Sequence, residues 1–299
     1  MEIWPNFFIV GAAKAGTTSL NMYLSQNPEI FMSKRKEPNY FSASTIPDDV
    51  PNRKPIRDKN QYLELFKDVK NEKIIGESST SYLADPDAAN LIYNIAPNAK
   101  IIIMLRDPVE RAFSNYLMLK GKKRISLSFH EQLQAEFNQR DSLEEDIKLD
   151  IGFYSQHIKK YQEIFGLNQV KVIIFEEFIK DYKTTVNEIL QFLGLEPSDD
   201  IVKEHAFNAY SEIRGPISQK IIKSKTISKI INKILPATNK RILREKYLFK
   251  KQPKPKMSKD DGILLQKFYQ EDVNNLEKLL GRKFPWKWFS ESDMSEIKK

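Results

Sequence analysis

Three groups of residues in this 299-residue chain have the types and spacing to do chemistry. The first is the run Gly11-Ala12-Ala13-Lys14-Ala15-Gly16-Thr17-Thr18-Ser19. It nearly matches the nucleotide-binding pattern G-x-x-x-x-G-K-[ST], with both glycines and the following hydroxyls in place. The lysine that should follow the second glycine is missing, and Lys14 sits inside the loop instead. Backbone N–H groups converging at a helix N-terminus bind anions. Residues Ala13, Lys14, Ala15, Gly16, Thr17, Thr18 and Ser19 can therefore cradle a 5′-phosphate, with the Lys14 ammonium beside whatever is attached to it. The second group is Arg106 and, two helical turns later, Ser114. A magnesium-nucleotide enzyme would place a carboxylate at such a strand end. A planar guanidinium suits a second phosphate instead, although pairing with Asp107 or Glu110 is an alternative use for it. Two separated anion sites imply a nucleotide phosphorylated at two places. The third group is Glu37, which Pro38 keeps out of a helix. It is a candidate general base, or else the partner of Lys34 or Arg35 in a salt bridge.

The surrounding pattern must position these groups. Residues 6–10 read as a buried strand, and Thr17 opens a helix carrying Leu20, Tyr23 and Leu24 on one face. Residues 42–60 read as a surface loop, and Tyr62, Leu63, Leu65 and Phe66 as a short helix. A second strand over 73–77 ends in Ser78-Ser79-Thr80-Ser81-Tyr82. Asp85-Pro86 is a cap with proline at the first helical position, leading a helix that stops at Pro97. The continuous apolar run 100–105 predicts a central parallel strand. A helix with Val109, Ala112, Phe113, Tyr116 and Leu117 follows, then a charged, helical stretch over 118–168 that would cover the sheet edge. A strand at 170–175 and a helix through Leu193 complete four strand–helix alternations. The expected fold is therefore α/β, a P-loop-like central parallel sheet flanked by helices on both faces, in a single domain over 1–299. Ligands bind such sheets at the carboxyl ends of the strands, where the 11–19 loop, 77–81, Arg106 and Glu176 would converge.

The net charge is +8, with 40% hydrophobic residues and no cysteine. Thirteen Lys or Arg residues and one acid, Glu245, fall between Lys220 and Lys256, leaving 35 basic against 39 acidic residues elsewhere. The basic character is local, which argues against a nucleic-acid partner. Ile217, Ile221, Ile227, Ile230, Ile231 and Ile234, with lysines between them, make 217–256 a basic, helical, mobile segment. It suits a peripheral membrane contact or a lid over an anionic acceptor. No apolar run reaches the ~20 residues needed to cross a bilayer. The chain enters its first strand directly, so the expected location is the cytoplasm.

The loop Gly11–Leu20, taken with Leu105-Arg106-Asp107-Pro108-Val109-Glu110-Arg111-Ala112-Phe113-Ser114-Asn115-Tyr116, resembles the sulfotransferases that use 3′-phosphoadenosine 5′-phosphosulfate. The heparan-sulfate and related carbohydrate enzymes are the most similar of these. The resemblance implies that the loop binds the 5′-phosphate and that Lys14 contacts the bridging oxygen or sulfuryl group. It further implies that Arg106 and Ser114 hold the 3′-phosphate, and that Glu37 in Lys36-Glu37-Pro38-Asn39-Tyr40-Phe41 is the general base. Gly152-Phe153-Tyr154 resembles a stretch near the adenine, which Tyr154 would stack on or bond. Lys251 and Lys254 loosely echo a late nucleotide loop. Where related enzymes carry a lysine after the glutamate matching Glu77, this chain has Ser78. The reaction implied is metal-independent sulfuryl transfer to a hydroxyl or amine, on a saccharide acceptor, for which Tyr40, Phe41 and Tyr82 would suit sugar rings. A P-loop kinase or NTPase using ATP and magnesium, with Asp107 as metal ligand, is the rival reading. A basic membrane-surface module is a second.

Overall fold

The computed structural model describes residues 2–47, 54–138, 145–201, 211–215 and 248–290, together with 218, 221 and 224. These fall into two compact units. The first comprises Met1–Arg111, Leu149–His205 and Gly262–Lys299, and the second Ala112–Lys148 and Ala206–Asp261.

The first unit is built on a five-stranded sheet. Its strands are β1 (Phe7–Gly11), β2 (Ile30–Met32), β3 (Ile74–Ser78), β4 (Lys100–Leu105) and β5 (Val170–Ile174), in the order β2-β3-β1-β4-β5. All four pairings are parallel. β1 is buried along its whole length, and β4 at every residue but Lys100, which is why both read as continuous apolar runs. The apolar run 100–105 lies between β1 and β5, inside the sheet as expected. The three-residue edge strand β2 was not expected, because three residues show no periodicity. Its pairing brings Met32 against Gly76, where an added Cβ would lie 2.3 Å from the sulfur and 2.8 Å from the Phe7 ring. Only glycine fits there.

Helices α1 (Thr17–Leu24), α2 (Lys59–Leu63) and α3 (Ala88–Ile95) connect the early strands. After β4 come α4 (Pro108–Gly121) and α5 (Phe129–Phe137), then α6 (Tyr154–Phe165), α7 (Phe175–Lys180), α8 (Tyr182–Phe192) and α9 (Lys259–Leu280). Helices flank the sheet, with α1 packing on β1, β2 and α8, and α6 on α3 and β5. The Asp85-Pro86 pair sits two residues ahead of its expected place, since Asp87 is the N-cap. α3 begins at Ala88, and the Asp85 carboxylate accepts from the Asp87 and Ala88 N–H groups. Part of the expected surface loop 42–60 is anchored, since Ile56 is buried and its N–H donates to the Pro38 carbonyl.

In the second unit β6 (Ser211–Ile213) and β7 (Phe249–Lys251) pair antiparallel. Ser128 and Glu131 form a reciprocal capping box at the start of α5. The expected basic helix over 217–256 lies outside the described residues up to 247, apart from 218, 221 and 224. Among the described residues no helix is long and apolar enough to cross a membrane.

Candidate active site

The loop between β1 and α1 is the centre of the first unit's site. The Ala12 N–H donates to the Met104 carbonyl at 2.7 Å, tying the loop to the end of β4. Lys14 takes a left-handed backbone with φ 72, and Gly16 follows at φ 89. A Cβ on Gly16 would stand 2.7 Å from the Phe175 ring, so the second glycine is needed for both its backbone and its close packing. No side chain caps α1, so its first turn presents N–H groups at the mouth of the loop. Thr17 is buried, whereas Ala13, Lys14, Gly16, Thr18 and Ser19 are half-buried and Ala15 is enclosed.

Arg106 joins this loop across 92 positions of sequence, its Nη1 donating to the Lys14 carbonyl at 3.3 Å. Its guanidinium lies 4.9 Å from the Phe175 ring centroid, and Nη2 is 3.6 Å from Glu110. The side chain is only 15% exposed, and its Nε is buried with no hydrogen-bond partner among the described residues. A buried donor left unmatched costs about 1–3 kcal/mol, so the chain's own acceptors do not saturate this guanidinium. The expected pairing with Glu110 exists, but it is long and engages another nitrogen.

Asp107 has a different task from the one the magnesium alternative requires. It is fully buried, and its oxygens accept from the N–H groups of Val109, Glu110 and Trp288. Burial pushes its carboxyl up to about 7. Glu176, also raised by burial, accepts from the Asp107 N–H and from Trp286 Nε1. These two acids tie Trp286 and Trp288 to the ends of β4 and β5. Among the described residues no cluster of three or more His, Asp or Glu residues could hold a metal ion.

Tyr154, expected at an adenine ring, is fully buried, and its hydroxyl donates to the Arg106 carbonyl at 3.0 Å. It braces the strand end that carries the arginine and presents no ring face to a ligand. Its own N–H donates to Asp272. Ser114, Lys251 and Lys254 belong to the second unit. There Ser114 is half-buried in α4, Lys251 ends β7, and the exposed Lys254 lies 5.8 Å from the Phe113 ring centroid.

Glu37 lies close to the start of α1, joined to it through its neighbour Lys36. Its backbone is left-handed at φ 60, and its N–H donates to the Ser78 carbonyl at 2.9 Å. Oε2 accepts from the Thr80 N–H at 3.0 Å, and Oε1 from the Thr80 hydroxyl at 3.1 Å. The expected alternative partners lie elsewhere: Lys34 pairs with Asp68, and Arg35 donates to the Lys54 carbonyl. Glu37 is instead paired with its neighbour Lys36, whose ammonium is 2.8 Å from Oε1 and 3.4 Å from the Thr17 hydroxyl. Sequence reasoning missed Lys36, because three adjacent cations give no sign of which one turns inward.

Glu77 underlies this arrangement. It is fully buried and accepts from the Tyr62 and Tyr82 hydroxyls at 3.0 and 2.8 Å and from Ser79 at 2.6 Å. Burial is the largest influence and pushes its carboxyl up to about 7, against the three hydroxyl donors. Ser79 in turn accepts from the Asn39 N–H, and Tyr82 from the Phe41 N–H. One buried carboxyl thus fixes the turn that aims Glu37. Phe41 and Tyr82, expected at a sugar, are core residues, while half-buried Tyr40 stacks on Tyr62 with centroids 4.2 Å apart. The Ser78 hydroxyl is buried and makes no hydrogen bond among the described residues, so that position supplies no cation.

Comparison with known proteins is consistent with this geometry. The family model for the sulfotransferase domain matches residues 5–277. The crystal structure of a sulfotransferase from Alicyclobacillus acidocaldarius is 33% identical, covers 99% of this chain and 100% of that one, and has a TM-score of 0.71. Human carbohydrate sulfotransferase 15 is 27% identical over 287 residues, covering 73% of this chain and 51% of the relative. The mouse bifunctional heparan sulfate N-deacetylase/N-sulfotransferase 3 is 27% identical over 285 residues, covering 93% of this chain and 30% of the relative. The chain thus spans about half or less of the length of these curated relatives.

Proposed function

We propose, given that the chain belongs to the sulfotransferase family, that it moves a sulfuryl group from 3′-phosphoadenosine 5′-phosphosulfate to a hydroxyl or amine of a carbohydrate. The observation that carries the donor assignment is the meeting of Arg106 with Lys14. It sets a phosphate-binding loop beside a guanidinium that keeps part of its surface exposed, 15% of the side chain. A nucleotide with one phosphate at each end matches that pair. When bound, the donor supplies an activated sulfuryl group with a phosphate as leaving group.

The chain's own residues then have separable tasks. The first-turn N–H groups of α1 and residues 13–19 hold the 5′-phosphate, and Lys14 stabilises the charge that grows on the bridging oxygen. Arg106 holds the 3′-phosphate, with Tyr154 fixing the strand end that carries it. Glu37 takes the proton of the acceptor hydroxyl, a task worth roughly 10²–10⁴ in rate. With Asp107 engaged by three backbone N–H groups, cationic side chains rather than a divalent ion neutralise the nucleotide. The carbohydrate acceptor is supported by the names of the curated relatives. The basic 217–256 segment is an accessory that would meet the acceptor or a membrane surface.

The test is transfer of labelled sulfuryl from the donor to a panel of glycan acceptors, with calorimetry of adenosine 3′,5′-bisphosphate alongside. Binding of the bisphosphate together with label in a glycan supports the reading. ATP hydrolysis without bisphosphate binding would overturn it.

A further inference from the structure

Lys34, Arg35 and Lys36 are consecutive cations with different fates. The first two reach outward, to Asp68 and to the Lys54 carbonyl. Lys36 turns into the cleft, where its side chain is 24% exposed. Its single ammonium faces both halves of the site: Glu37 Oε1 at 2.8 Å on one side and the Thr17 hydroxyl, at the first residue of α1, at 3.4 Å on the other. An ammonium carries three N–H donors, and these contacts use two.

The backbone beneath it is fixed. The Ser33 N–H donates to the Gly76 carbonyl, and the Glu37 N–H to that of Ser78, so residues 33–37 are strapped to the end of β3. What remains adjustable is the four-carbon stem of Lys36, a compact charge on a flexible arm. In this arrangement the Glu37 carboxylate accepts from the Thr80 N–H, the Thr80 hydroxyl and the Lys36 ammonium, three donors against about four lone-pair sites. A base must offer a lone pair to the acceptor hydroxyl, and the Lys36 ammonium on Oε1 competes with that hydroxyl for the same carboxylate. The Thr80 N–H is backbone and stays in place. Lys36, on its flexible stem, is the charged donor that can move.

We propose that Lys36 is a further catalytic residue, whose ammonium exchanges Glu37 for a non-bridging oxygen of the transferring sulfuryl group once the donor is bound. The proposal rests on the sulfuryl-transfer reading. In the step, the bond from sulfur to the bridging oxygen breaks, with its electron pair passing to the 5′-phosphate. The acceptor oxygen forms the new bond to sulfur, and its proton goes to Glu37. Lys36 keeps its proton throughout. Its departure frees a lone pair on Glu37 and brings a positive charge to the group in transit, so one movement serves base and electrophile together.

The test compares full-length Lys36→Met, which keeps the stem and removes the charge, with Lys36→Arg and wild type. Single-turnover transfer from labelled donor is measured beside adenosine 3′,5′-bisphosphate affinity, because the bisphosphate lacks the sulfuryl group. Lys36→Met is expected to slow transfer about 10²–10³-fold while the bisphosphate dissociation constant stays within about threefold. Lys36→Arg should recover part of the rate. In a Glu37→Gln background Lys36→Met should still slow the residual transfer about tenfold or more, since it acts on the sulfuryl group and not only through the base. Transfer by Lys36→Met within threefold of wild type would overturn the proposal, as would parallel loss of bisphosphate affinity or no added loss in the double variant. Wild-type protein that neither binds the bisphosphate nor transfers label would instead overturn the functional reading itself.

Discussion

Glu77→Gln tests the buried network through its dependence on pH. Glu77 is fully enclosed, and burial raises its carboxyl from an ordinary 4.5 to about 7. Below the lower value the group is protonated in both folded and unfolded chains, and its contribution to stability is complete. As the pH rises, the unfolded chain releases the proton first, so stability falls until the folded protein also ionises near 7. The interval corresponds to about 3 kcal/mol. Asp107, raised by burial to about 7, adds a parallel fall over the same window. Glutamine keeps the volume but cannot ionise, so the variant should lose Glu77's share of the slope and keep Asp107's. Urea unfolding followed between about pH 4.5 and 8 at constant ionic strength gives the comparison. A Glu77→Gln slope equal to that of wild type would show that Glu77 ionises as in water, and the buried-carboxyl argument would fail.

Other expectations concern the nucleotide and the base. Arg106→Ala should weaken adenosine 3′,5′-bisphosphate by about 2–3 kcal/mol and adenosine 5′-phosphate little, by calorimetry, since only the first carries a 3′-phosphate. Glu37→Gln should lower turnover by roughly 10²–10⁴ while leaving donor affinity nearly intact; a loss of donor affinity without loss of turnover would make Glu37 a structural residue. Transfer should persist in EDTA, and activity restored only by magnesium would revive the kinase alternative.

What the sequence disclosed follows the range over which its signals act. The β1–loop–α1 unit was legible because its period, glycines and hydroxyls lie within twenty residues. β4 was legible because burial on both faces leaves a continuous apolar run. The strap from Ser33 to Glu37 was not, because its structure depends on pairing with β3 some forty positions away. The same holds for Lys36, whose inward turn is decided by that pairing, and for Tyr154, whose hydroxyl is claimed by a carbonyl 48 positions earlier. The tyrosines around Glu77 carry a polar tip that composition cannot assign to a ligand or to a buried acid.

The place of β1 between β3 and β4 has a consequence for how the protein is made. The strand Phe7–Gly11 leaves the ribosome before both of its partners, which begin only at Ile74 and Lys100. At typical synthesis rates the wait for the second partner is roughly 5–20 s. Throughout it, an apolar strand with two unpaired edges is open to misassociation with other chains. A segment that ends up fully enclosed is therefore one that needs sheltering during translation.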